Sequence, residues 1–263
     1  MSTLKVPTVA EMVARNEQPD ILFWVGCSGS FDDRAKKITK AIVKILNFCK
    51  VKFAVLGAEE SCTGDPAKRA GNEFSFMMQA IQNIELLKGY QIKKIVTGCP
   101  HCFNTLKNEY PELGGDFEVI HHTQLINQLI REGRLLLKDG GSFNGKKITF
   151  HDPCYLGRAN GVYEIPRDVL KKLDAELHEM KRSKAKGLCC GAGGAQMFKE
   201  AESGNKEVNI ERTEDALEVK PDVIATGCPF CNTMMTDGVK YFEKENEIEV
   251  KDIAELIANA ADL

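Results

Sequence analysis

Long apolar runs are missing from this chain, and none approaches the roughly 18 consecutive apolar residues that a helical bilayer span needs. Residues Met1 to Asp20 carry Lys5, Glu11, Arg15, Glu17 and Asp20 without an apolar h-region, so no secretory signal is expected there. No dense lysine or arginine stripe is present, and a formal net charge of -3 gives no reason to expect a nucleic-acid partner. No G-x-G-x-x-G follows a predicted strand, no phosphate loop is present, and no serine, histidine and aspartate form a triad pattern, so nucleotide chemistry is not indicated. These absences predict a cytoplasmic protein with no direct membrane insertion, held at most peripherally to the inner face of the membrane through a partner.

What the chain does have is cysteine, ten in 263 residues. In a reducing compartment these are thiols or metal ligands, because disulfides rarely persist there. Cys49 ends an apolar helical pattern over 41–49 and reads as a small buried hydrophobe. The other nine recur in order. Gly26-Cys27, Glu60-Ser61-Cys62-Thr63-Gly64-Asp65 and Thr97-Gly98-Cys99-Pro100-His101-Cys102 make one series. His151-Asp152-Pro153-Cys154, Gly187-Leu188-Cys189-Cys190-Gly191-Ala192-Gly193-Gly194 and Thr226-Gly227-Cys228-Pro229-Phe230-Cys231 make the other. The segments around the two C-x-x-C groups are so alike that duplication is the simplest explanation. A Gly-rich polar stretch at 138–145 separates the copies and predicts two tandem domains, 1–140 with four patterned cysteines and 141–263 with five.

Apolar runs predict strands over 21–25, 51–56, 94–97 and 117–120, alternating with helices over 32–48, 67–87, 100–107 and 123–131. The second copy repeats this grammar. It has strands at 147–150, 176–180 and 222–226, helices near 166–173, 196–199 and 205–219, and more helix after the C-x-x-C to the end. The fold class is therefore α/β, two duplicated cysteine-rich domains, each with a small, mostly parallel sheet flanked by helices. Each cysteine group follows a strand or opens a helix, where open α/β sheets place their ligands. Pro100 and Pro229 suit the first turn of a helix, and a helix N-terminus favours the thiolate that metals require.

Two metals compete for these thiols. Structural zinc takes four thiolates in a closed tetrahedron. Iron–sulfur clusters are also held by thiolates, here gathered from distant loops. The second copy offers Cys154, Cys189, Cys190, Cys228 and Cys231, one more than a single zinc uses. Gly191, Gly193 and Gly194 let the backbone approach a bulky cluster and turn N–H groups toward it. Cys27, Cys62, Cys99 and Cys102 of the first copy suit iron–sulfur and zinc equally.

The paired pattern of Cys, Cys-Cys-Gly and C-x-x-C resembles the cysteine-rich CCG domain proteins, which include heterodisulfide reductase components and the lactate and glycolate oxidase iron–sulfur subunits. The likeness covers nearly the whole chain. It implies a [4Fe-4S] cluster in the second repeat, noncubane if all five cysteines are used, and a [4Fe-4S] cluster or zinc in the first. In this reading Ser61 stands where the first repeat would carry the first cysteine of its Cys-Cys-Gly, and Thr63 stands at the glycine. Segment 60–73 also resembles larger membrane-linked iron–sulfur oxidoreductases.

The resemblance implies an electron-transfer subunit of a multi-subunit oxidoreductase, between a flavoprotein donor and a membrane- or quinone-linked acceptor, with flavoprotein, ferredoxin-like or membrane iron–sulfur subunits as partners. Catalytic disulfide reduction at the second-repeat cluster, as in heterodisulfide reductase, is one alternative, and a zinc-stabilised scaffold is another. His101 and His151 lie beside ligand cysteines, where either a hydrogen bond to the site or a turn position fits. His121-His122 reads as loop, and Lys68 with Arg69 as a solvated face.

Overall fold

The computed structural model describes residues 4–138, 141–200 and 203–263. Strands β1 (Ile21–Trp24), β2 (Phe53–Ala54), β3 (Lys94–Thr97) and β4 (Glu118–His121) form one sheet in the order β2-β1-β3-β4. Strands β5 (Lys147–Phe150), β6 (Glu176–Leu177), β7 (Val223–Thr226) and β8 (Glu249–Asp252) form a second in the order β6-β5-β7-β8. Every pairing is parallel, and the two sheets share one topology, as the internal repeat requires. The central strands are continuous apolar runs because helices cover both faces. The protein is thus an α/β fold of two cysteine-rich repeats.

Helices Ala35–Phe48, His122–Arg131, Glu164–Leu170 and Ile253–Ala260 lie between the sheets, and one apolar core runs through both repeats. Ile38, Ile42 and Ile45 from the first helix, Leu125 and Leu129 from the second, and Leu256 and Ile257 from the last are all buried in it. Each such side chain contributes about 1.5–3 kcal/mol by leaving water. Two polar links cross the same seam. Arg34 pairs with Glu255 at 2.8 Å, and His122 Nε2 lies 2.9 Å from Asp252 Oδ1.

Three expected elements differ. The helix foreseen over 67–87 is two, Asp65–Arg69 and Glu73–Gly89, because Gly71 takes positive φ and Asn72 caps the second through the Ser75 N–H. The region 196–199 holds only a single 3-10 turn, Gln196–Phe198. The chain beyond the last C-x-x-C is not helix throughout. It includes β8, whose Glu249, Lys251 and Asp252 give it the charged character of an edge strand. The boundary expected at 140/141 falls beside residues 139 and 140, which lie outside the described residues. Among the described residues no helix is long and apolar enough to cross a membrane.

Close packing makes one position sensitive. Helices Val208–Leu217 and Pro229–Tyr241 meet at Gly238, where a Cβ would lie 1.9 Å from Thr213 Oγ1 and 2.8 Å from Thr213 Cβ. Thr213 is tied to the Asn209 carbonyl at 2.8 Å and has little freedom to turn away. Gly238→Ala is therefore expected to cost about 1–3 kcal/mol by overpacking. Urea denaturation should show a lowered midpoint, and an unchanged one would mean the helices part easily.

Candidate metal centre

The cysteines gather at the C-terminal ends of the parallel strands, the end at which open α/β sheets bind ligands. Cys27 lies in the short helix Gly26–Phe31 after β1, and Cys99 follows β3 and precedes the helix Pro100–Asn104. Cys228 occupies the matching place before Pro229–Tyr241 after β7, with proline again at the start of the helix, where its missing N–H costs nothing. Cys27, Cys62, Cys99 and Cys102 line one cavity together with Thr63, Asp65 and Phe230. Cys190, Cys228 and Cys231 pack with Ala192 against Met197, Phe230 and Met234. Cys154 and Cys189 complete the second group, with Cys189 hydrogen-bonded to both Cys154 and Cys190. Cys49 stands apart, its Sγ donating to the Arg134 carbonyl at 3.5 Å.

The structure corrects the alignment of the Cys-Cys-Gly. The Gly64 N–H donates to Cys62 Sγ at 3.4 Å, and the Gly191 N–H donates to Cys189 Sγ at 3.3 Å. Both glycines have φ near +90°, a left-handed conformation that costs glycine little. Cys62 therefore matches Cys189, Gly64 matches Gly191, and Thr63 stands where the second repeat has Cys190. The side chains agree. Thr63 Oγ1 approaches Cys102 Sγ at 3.9 Å, as Cys190 Sγ approaches Cys231 Sγ at 3.3 Å. Ser61 lies outside the motif and bonds Asn83 Oδ1 instead.

The sulfurs press together closely enough to compete for protons. The Cys27 thiol donates to Cys62 and draws it down to about 7, while Cys27 itself is raised by the same bond and by burial. Hydrogen bonds from Cys154 and Cys190 hold Cys189 far below the usual thiol value, and Cys190 is pushed up to about 12 by Cys189. Hydrogen bonds from Cys102 and then Cys228 lower Cys99. Burial, first, raises Cys228. Cys62 and Cys99 in the first group and Cys189 in the second ionise readily while neighbouring thiols donate to them, as expected where the full set can carry negative charge only around a cation. The donors are almost all sulfur, which suits soft, thiolate-bound iron or zinc. Phe230 packs against both groups and joins them across the seam between the repeats.

The surroundings are more ordered than the sequence suggested. His101 is buried, with Nδ1 2.9 Å from Asp65 Oδ2, and its ring lies 4.5 Å from Tyr155 and 5.5 Å from Phe230. His121 and His122 are not loop residues but buried at the start of the helix His122–Arg131, with His121 Nδ1 2.8 Å from Thr123 Oγ1. His151 is fully buried rather than on a surface turn, and burial beside Arg212 lowers it to about 3, so its ring is neutral. Arg69 is no solvated residue, since it pairs with Asp65 at 3.1 Å and with Glu109, which Lys68 also approaches at 3.5 Å. Glu60 accepts the N–H groups of Val25 at 3.0 Å and Gly26 at 2.5 Å, fixing the chain just before Cys27, and burial raises its carboxyl to about 7. Of the glycines singled out, Gly191 makes the N–H contact to sulfur, Gly194 also has positive φ, and Gly193 lies nearest His101. Trp24, Asp65 and the true register of Thr63 did not emerge from the sequence. Thr63 was within reach, because aligning Cys62-Thr63-Gly64 on Cys189-Cys190-Gly191 by the glycine places it.

A family model described as a cysteine-rich domain, CCG, matches residues 21–107 and again 148–236. The chain is 46% identical over 257 residues to a probable iron-sulfur-binding oxidoreductase of Bacillus subtilis, covering 97% of this chain and 36% of that protein. It is 44% identical over 247 residues to the EtfAB:quinone oxidoreductase of Syntrophomonas wolfei, covering 92% and 34%. It is 36% identical over 258 residues to a component of the dihydromethanophenazine:CoB--CoM heterodisulfide reductase of Methanosarcina barkeri, covering 94% and 60%. The chain thus spans about a third of the length of the first two relatives and less than two thirds of the last.

Proposed function

Since this chain belongs to the CCG cysteine-rich domain family, we propose that it is the cluster-bearing, electron-transferring part of a larger iron–sulfur oxidoreductase. The observation that carries this reading is Phe230, which packs against both groups and so brings a four-thiol and a five-thiol group side by side. Cys154, Cys189, Cys190, Cys228 and Cys231 would hold a [4Fe-4S] cluster, and Cys27, Cys62, Cys99 and Cys102 a second centre. Iron–sulfur is favoured over zinc in the first repeat because a relay gains from a redox centre at that contact. A bound cluster supplies a one-electron store whose potential follows burial and hydrogen bonds to sulfur. The Gly64 and Gly191 N–H groups stabilise negative sulfur, while Met197, Phe230 and Met234 keep water from the second group. A flavoprotein donor and a quinone-linked acceptor agree with the relative named EtfAB:quinone oxidoreductase. The domain limits 1–140 and 141–263 are part of the same proposal.

Electron paramagnetic resonance tests the pairing. In protein reduced without oxygen, two adjacent half-filled centres should split or broaden each other's signals. Two sharp, independent signals would contradict the relay. A separate expectation concerns Thr63. The Thr63→Cys variant gives the first repeat a fifth thiol, and the spectrum of its centre should shift toward that of the second repeat. An unaltered spectrum at full metal content would mean that the extra thiol is not used.

Disulfide reduction is the second reading, favoured by the likeness to a component of a heterodisulfide reductase. Turnover of a mixed disulfide with an artificial electron donor would support it. None at full cluster content would leave electron transfer alone.

A further inference from the structure

Trp24 and His151 occupy the same place in the two repeats. Phe23 pairs in register with Val96 and Phe150 with Ala225, and Trp24 and His151 are the residues that follow. The His151 N–H continues the ladder to the Ala225 carbonyl at 3.0 Å. Both side chains are fully buried. Each ends in a ring nitrogen, Trp24 Nε1 and His151 Nε2, with no hydrogen-bond partner among the described residues. Buried polar groups are rarely left unpaired; Trp24 shares an apolar cluster with Cys99 and Cys102, and His151 lies near Cys190 and Cys231, so the two equivalent positions point to one shared cause.

The hydrogen-bond network fixes which His151 nitrogen holds the proton. Arg212 Nε–H donates to His151 Nδ1 at 2.9 Å, and a guanidinium has no lone pair with which to accept in return. Arg212 is itself fully buried, held by the Arg182 carbonyl at 2.6 Å and by Asp215 at 3.1 Å. With Nδ1 accepting, the neutral ring carries its hydrogen on Nε2. A ring nitrogen of His151, Cys190 Sγ and Cys231 Sγ lie within 4.8 Å of one another, and Nδ1 is already engaged.

We propose that His151 is a fixed hydrogen-bond donor to the sulfur of the second centre and not one of its metal ligands, and that Trp24 is its counterpart in the first repeat. An indole N–H can only donate, so the duplicated position holds a donor in both copies. This inference rests on the reading that the second repeat carries an iron–sulfur cluster. A donor to thiolate or sulfide stabilises the reduced, more negative state and raises the potential. His151 is thus a positioning residue that tunes the centre, and Arg212 sets its tautomer.

Potentiometric titration of the protein as isolated without oxygen, followed by paramagnetic resonance, tests this in wild type, His151→Phe and His151→Gln. Removing the donor in His151→Phe should lower the reduced-to-oxidised ratio at a fixed potential about tenfold, or about 59 mV for a one-electron couple. His151→Gln keeps an N–H and should stay close to wild type. Pulsed measurements in deuterium oxide should show an exchangeable deuteron coupled to the wild-type centre. An unchanged potential in His151→Phe at full iron content would overturn the donor role, as would a directly bound nitrogen in the wild-type spectrum. If His151→Phe does not fold, the wild-type deuteron decides the matter, and its absence overturns the proposal. Wild-type protein without iron would overturn the cluster reading itself, a result distinct from iron present with an unaltered potential.

Discussion

Cys228→Ala should strip the second repeat of its centre, so that iron and acid-labile sulfide fall to about half the wild-type content and electron transfer through the chain fails. Its sulfur is completely buried, and it stands before its helix where the first repeat has Cys99, one of the four thiol positions both repeats share. The loss should exceed the roughly 10–100-fold in affinity that removal of a supporting hydrogen bond typically costs at a metal site. Cys49→Ala is the control. Its thiol lies in the apolar core and reaches only the Arg134 carbonyl, so metal content should not change. Full iron content in Cys228→Ala, with unimpaired turnover alongside the native partners, would sink the assignment of the second group.

The largest expected loss of stability belongs to Asp152→Ala. Asp152 lies two residues before Cys154 and accepts both terminal nitrogens of Arg167, at 2.7 and 2.8 Å. It also accepts the Lys184 N–H at 2.7 Å, which ties the loop leading to Cys189 to the strand leading to Cys154. Arg167 is almost wholly buried and would be left with Glu179 and the Tyr163 carbonyl. Breaking a buried pair by removing one partner costs about 3–5 kcal/mol, because the remaining charge stays out of water. Thermal unfolding should show a fall in Tm of roughly 10 °C. A fall of only a degree or two would mean that Glu179 and the carbonyl are sufficient. Because the same bonds hold two ligand-bearing segments, the variant should also lose metal faster to a chelator.

The duplicated α/β architecture was legible because apolar strands such as Ile21–Trp24 and Val223–Thr226 are buried on both faces, and a glycine and cysteine follow each closely. β8 was missed because an edge strand needs fewer apolar residues, and Glu249-Val250-Lys251-Asp252 lacks a continuous run. The repeat itself held the signal, since Glu118-Val119 and Glu249-Val250 open matching strands, each followed by a capped helix. The grouping of the cysteines followed from topology, which places the loops after central strands at one end of the sheet. The role of Thr63 did not follow from residue type alone, since a threonine beside a cysteine looks like a turn until backbone N–H contacts set the register. The buried histidines were out of reach for another reason. Their partners are distant in sequence, Asp252 of the other copy for His122 and Arg212 for His151.

Iron, acid-labile sulfide and zinc, measured together on protein purified without oxygen, test the central claim most directly. Two thiol-bound four-iron centres predict about eight iron and eight sulfide per chain and no stoichiometric zinc. A colourless, redox-silent protein carrying zinc alone would contradict the account, because the two adjoining thiol groups would then be structural sites and carry no electrons.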